Sequence, residues 1–154
     1  MLRAVRRLPL LVVLLGALLL PGTAAADDTH MVKTLVTWSK RIMADAQAQG
    51  RLARSGSKPA ALRVATQRVL TDSVGARRAL AVEHPSSANG RRCRTIAAEA
   101  FDNFATAERE LLLALAAGVH GDAAGASRHS SLAQKAADRG SKLLAAAGKL
   151  GDKL

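Results

Sequence analysis

Three residues in this sequence are of types that could do chemistry inside a small domain: its only cysteine, Cys93, one of its four histidines, His129, and Glu108. Glu108 stands out by position. Cys93, Ala97, Ala100, Phe101, Phe104, Ala107, Leu111 and Leu115 recur at the spacing of one helical face. Thr95, Glu99, Asp102, Thr106 and Arg109 fall on the opposite face. Glu108 sits within the apolar row, where a lone carboxylate costs several kcal/mol, order of magnitude, unless it is paired or protonated. Counting equally back and forward from a turn near His120 sets Glu108 opposite Leu132 and Ala133, with His129 one turn nearer the loop. The spacing therefore predicts a buried polar pair, Glu108 with His129. The alternatives are an Arg or Lys from an earlier helix, or a Glu108 that reaches water at the edge of the row.

Nothing else builds a catalytic or metal set. A di-metal bundle requires Glu-x-x-His on its helices, and neither that spacing nor H-E-x-x-H nor C-x-x-C-H occurs. Glu83 and His84 are adjacent, so they point in different directions on a helix. His30, His84 and His120 read as helix-end or turn residues. Met31 and Met43 leave a Met–His haem site conceivable, but no spacing selects it, and no cofactor or metal is expected. Cys93 has no partner for an internal disulfide; it reads as a small buried apolar side chain, with a free thiol or an intermolecular bridge as the alternative. Arg91, Arg92 and Arg94 would favour its thiolate only if the sulfur met solvent.

The positioning elements are helices. The longest spans residues 92–118, interrupted by no proline. An earlier one covers about residues 28–53, with Met31, Leu35, Trp38, Ile42, Ala46 and Ala53 on one face. A second starts near Ser57 as N-cap and ends before Pro85, with Leu62, Ala65, Val69, Ala76 and Leu80 inward. A fourth follows Asp122 as N-cap, and its inner face of Ala126, His129, Ala133, Ala137, Gly140, Leu144 and Ala147 is small enough to permit a close helix contact. Arg128, Lys135, Lys142 and Lys149 face outward. Short turns between four amphipathic helices predict an all-α, up-down-up-down four-helix bundle, ahead of a three-helix bundle with a loose terminal helix or a helical-hairpin repeat.

Residues 1–26 read as a secretory signal peptide: Arg3, Arg6 and Arg7, an apolar run over residues 8–20, then Ala24-Ala25-Ala26. The run is shorter than the ~20 residues a spanning helix needs. Residues 27–154 then form a single domain, extracytoplasmic and not integral to the membrane, with 20 basic residues against 12 acidic ones. Its arginines gather in sequence: Arg77 and Arg78 end the second helix, and Arg91, Arg92 and Arg94 open the third, so an up-down arrangement brings all five to one end. Arginine suits phosphate and carboxylate recognition; a solvated surface is the plainer explanation. The aromatic residues Trp38, Phe101 and Phe104 all face inward, so no stacking platform for nucleic acid is visible, and export argues against a genomic role. The segment over residues 141–154 is cationic and amphipathic, suited to a membrane surface or to the last helix of the bundle.

The sequence thus points to an exported, basic, non-enzymatic binding or scaffolding protein at the cell envelope. An anionic polymer, lipid headgroups or an acidic protein would be its partner. The alternative is a ligand- or redox-active bundle using Cys93, Glu108 and His129. Intact-mass analysis of the secreted protein is expected to give a chain beginning at Asp27; a product that still begins at Met1 contradicts the leader.

Overall fold

The computed structural model describes residues 26–154; the leader expected over residues 1–26 lies outside these, save for the last residue of its cleavage motif. Among the described residues the chain is all-helical, with four helices and no strand: α1 (Ala26–Arg54), α2 (Pro59–Ala81), α3 (Ala88–Val119) and α4 (Ala123–Gly151). No helix among them is long and apolar enough to cross a membrane.

Each start has a local cause. Pro59 stands in the first turn of α2, where its missing N–H is no loss. The N-cap there is Lys58, without a side-chain cap bond. Ser57, expected in that role, instead shares a 2.8 Å bond between hydroxyls with Ser55. α3 begins four residues before the expected Arg92, because Ser87 caps it: its Oγ accepts from the Gly90 amide at 2.8 Å. Asp122 caps α4 as expected, accepting from the Gly125 amide at 2.8 Å. Gly121, in the tight turn before it, has φ +77°, a left-handed conformation that suits glycine.

Side-chain cross-links join consecutive helices. Arg41 meets Asp72 between α1 and α2, Arg77 meets Asp102 between α2 and α3, and Glu99 and Glu110 on α3 meet Arg139 and His129 on α4. α3 is central. It packs along α2 and α4 and touches α1, and its α4 contact is the most extensive in the molecule. All four helices feed one core of Met31, Leu35, Ile42, Val69, Leu80, Cys93, Phe101, Phe104 and Ala147, among others.

Two aromatic-on-glycine contacts set the helix spacing. A Cβ on Gly140 would lie 2.8 Å from Phe104 Cε1 and 3.1 Å from the Ala100 carbonyl oxygen. A Cβ on Gly75 would lie 2.7 Å from the edge of Trp38. The α4 face turned to α3 is Gly125, Ala133, Gly140 and Ala147, all buried, so the expected small-residue approach is realised. Gly148 on the same helix has nothing within 4 Å of an added Cβ. Gly148→Ala should therefore stabilise the fold by about 0.5–1 kcal/mol through helix propensity. Gly140→Ala should lose about 1–2 kcal/mol net, because overpacking outweighs that gain. Denaturant melts of the two variants check the opposite signs; equal stabilisation would mean that α4 is not seated closely on α3.

Candidate functional site

The connection between α2 and α3, residues 82–87, is held from two sides, and of the five arginines Arg91 and Arg94 reach it. From α1, Thr34 Oγ1 donates to Glu83 Oε1 at 2.7 Å and His30 Nδ1 donates to Glu83 Oε2 at 2.8 Å. Burial alone would push the Glu83 carboxyl up, but these two bonds and the nearby imidazoles together hold it below the usual range. The carboxylate is therefore ionised. Asp28, also on α1 and buried, accepts from the Ser87 amide at 3.3 Å. Gly90 lets it in: a Cβ there would collide with the Asp28 carboxylate and lie 2.8 Å from Pro85 Cβ. A carboxylate of the chain itself thus stands at the positive end of α3. From α3, Arg94 Nη1 donates to the Glu83 carbonyl at 2.6 Å, and Arg91 Nη1 donates to the Ser86 carbonyl.

The arginines consequently divide. Arg91 and Arg94 spend donors on loop carbonyls but keep their charge. Arg77 forms a solvent-exposed pair with Asp102 at 3.2 Å. Arg78 and Arg92 are exposed and form no ion pair among the described residues.

The residues suspected of chemistry have been given separate partners. Cys93 is fully buried, donates its S–H to the Ala147 carbonyl at 3.3 Å, and has its thiol pushed up to about 11 by burial and by the Asp28 carboxylate. It is a buried thiol with no disulfide partner among the described residues, and the neighbouring arginines do not activate it. Cys93 and Glu108 lie fifteen residues apart on one continuous helix, hence about 22 Å along its axis.

The expected Glu108–His129 pair does not form. His129 Nδ1 donates to Glu110 Oε2 at 2.7 Å, both half-buried between α3 and α4. Glu108 turns toward α1 and α2. Its Oε2 accepts from Gln49 Nε2 at 2.7 Å, Gln49 Nε2 also reaches Thr66 Oγ1 at 2.9 Å, and Thr66 donates to the Leu62 carbonyl. The carboxylate selected by its place in the row is buried, as the row implies, but a neutral amide meets it. Burial raises Glu108 to about 7, and the Gln49 bond opposes only part of that rise. Gln49 was legible: it stands seven residues after Ile42 and fourteen after Leu35, on the same row of α1. Asp72 was legible in the same way, between Val69 and Ala76. It is buried and accepts from Arg41 Nε at 2.7 Å; burial raises its carboxyl against the pull of Arg41, and Asp45 adds to the rise.

Among the described residues, no group of three or more His, Cys, Asp or Glu side chains could hold a metal ion. No family model, curated protein or solved structure matches the chain.

Glu108 gives a pH signature. Its folded pKa, about 7, lies above the ordinary 4.5, so the folded state holds the extra proton between those values. The contribution to stability is complete below pH 4.5 and is lost as pH rises through 7, a swing of up to about 3 kcal/mol. Glu108→Gln keeps an acceptor for Gln49 without the charge. It should be more stable than the parent at pH 8 and equal to it at pH 4. Denaturant melts across that range check this; a difference that does not vary with pH would place the carboxylate in contact with water.

Proposed function

We propose that the chain is an exported, non-enzymatic protein that folds as an up-down-up-down four-helix bundle and binds an anionic partner at the cell envelope. The observation that carries this reading is the division of charge. Of the lysines and arginines after the leader, only Arg41, Arg77 and Arg139 enter ion pairs with carboxylates among the described residues. The acids are mostly engaged: Asp28, Asp72, Glu83 and Glu108 are buried, and Glu99, Asp102 and Glu110 are paired. The outward field is therefore strongly positive, and such a field draws anionic ligands from solution.

The end formed by Arg77, Arg78, Arg91, Arg92 and Arg94 is the site of closest approach in this reading. Its loop is fixed before any ligand arrives, so little ordering is needed on binding. Planar guanidiniums suit phosphate and carboxylate oxygens. The partner is an anionic envelope polymer, with lipid headgroups or an acidic protein as the other partners of the same chemistry.

The test is binding of the mature protein to a flexible polyanion over a salt series. Affinity should fall steadily with salt, since exposed charges are screened beyond about 8–10 Å at physiological ionic strength. Arg78→Gln with Arg92→Gln should reduce the slope of log K against log salt by roughly 1.5, near 0.7–0.9 for each charge removed. Binding that ignores salt, or a double variant that binds like the parent, overturns the arginine end as the site.

A further inference from the structure

We infer that the outer face of α4 is a track for an extended, linear phosphate polymer. Arg128, Lys135, Lys142 and Lys149 recur every seven residues and are all exposed. None enters an ion pair among the described residues. Seven residues span about 10.5 Å of helix, so the row runs about 32 Å in nearly a straight line, drifting only about 20° with each step.

The straightness is imposed from the opposite face. Ala133, Gly140 and Ala147 repeat at the same interval and are buried against α3. Each stands two residues before a cation of the row, or about 200° around the helix. The packing that seats α4 on α3 therefore holds the cations outward at regular intervals. On the edge nearer α3, Arg139 is tied to Glu99 at 2.6 Å, so that edge is locally neutralised. Two carboxylates flank the row. Asp138 accepts from Gln134 at 2.7 Å, and Asp152 sits at the C-cap of α4.

The occupant is a linear polyanion rather than a membrane. A helix that lies on a lipid surface buries an apolar face in it. Leu132 is the only large hydrophobic side chain that α4 exposes, while Leu144 and Leu150 are packed against the core, as is Leu154 just beyond the helix. Three of the four leucines of the 141–154 segment are thus engaged inside, and Leu143 is partly buried. Cations spaced along one line match a flexible chain with charge along its length, and each phosphate contact releases counterions. Phosphodiester- and phosphoanhydride-linked chains share this chemistry.

This inference rests on the polyanion reading above but concerns a different surface, and the two can fail separately. The experiment is calorimetric titration of the full mature chain with linear polyphosphate of graded length, repeated with glycerol-phosphate oligomers and with phosphatidylglycerol vesicles. Affinity should rise with length until the polymer spans the row, then level off. Lys135→Gln with Lys142→Gln should abolish the length dependence and cut the salt slope by roughly 1.4, about 0.7 for each cation on a single-stranded polyanion. The thermal melt should be unchanged, since both side chains are exposed. Arg78→Gln with Arg92→Gln should leave the length dependence intact. Length-independent binding, or a lysine variant that binds like the parent, refutes the track while leaving the arginine end standing. Vesicle binding that needs the two lysines, without polymer binding, refutes it in favour of a membrane contact. A parent chain that binds no polyanion refutes both readings.

Discussion

The close approach of α4 to α3 is the contact on which the other features rest. It depends on a missing side chain: Gly140 leaves room for the Phe104 ring and brings α4 against the Ala100 backbone. With so few aromatic residues available, the domain gains its packing from proximity as much as from bulk. Small residues let backbones approach, and dispersion contacts accumulate along the whole length of the pair. Trp38 over Gly75 does the same between α1 and α2. α3 packs along both α2 and α4 and supplies more of the buried apolar residues than any other helix.

Polar groups then specify how the helices are placed along one another. Gln49, Thr66 and Glu108 join α1, α2 and α3 at one level; Asp28, Thr34, Glu83 and Arg94 join α1 and α3 to the loop between α2 and α3. An apolar stripe of alanines tolerates sliding, because one alanine resembles the next. A buried carboxylate does not, since displacement by one turn would strand it at a cost of about 1–3 kcal/mol or more. Glu108 illustrates the compromise. It is satisfied by an amide, which fixes its place but does not neutralise it, and its proton affinity rises accordingly.

The same bookkeeping of charges shapes the surface. Most carboxylates are drawn inward or into pairs, leaving most lysines and arginines facing solvent without ion-pair partners among the described residues. Cys93, the one thiol, is withdrawn from solvent, and the imidazoles of His30 and His129 are each bound to a carboxylate. What remains outside is an electrostatic surface on a rigid helical body, which is the basis for reading it as a binder of anions.

The apolar rows alone determined that the chain is helical, where its four helices lie to within a few residues, and which face of each turns inward. That follows because helical periodicity is local and survives the absence of any partner. The small-residue face of α4 and the anomaly of Glu108 were legible for the same reason. The partners were not. Glu108 faced Gln49 rather than His129 because one residue on a helix sweeps 100°, so a count of levels across a hairpin says nothing about which neighbour a side chain turns toward. The seating of Asp28 on the Ser87 amide at the head of α3 joins residues 59 apart in sequence. The division of the arginines into loop clamps, an ion pair and free cations likewise depends on carbonyls and carboxylates that only the tertiary arrangement brings within reach.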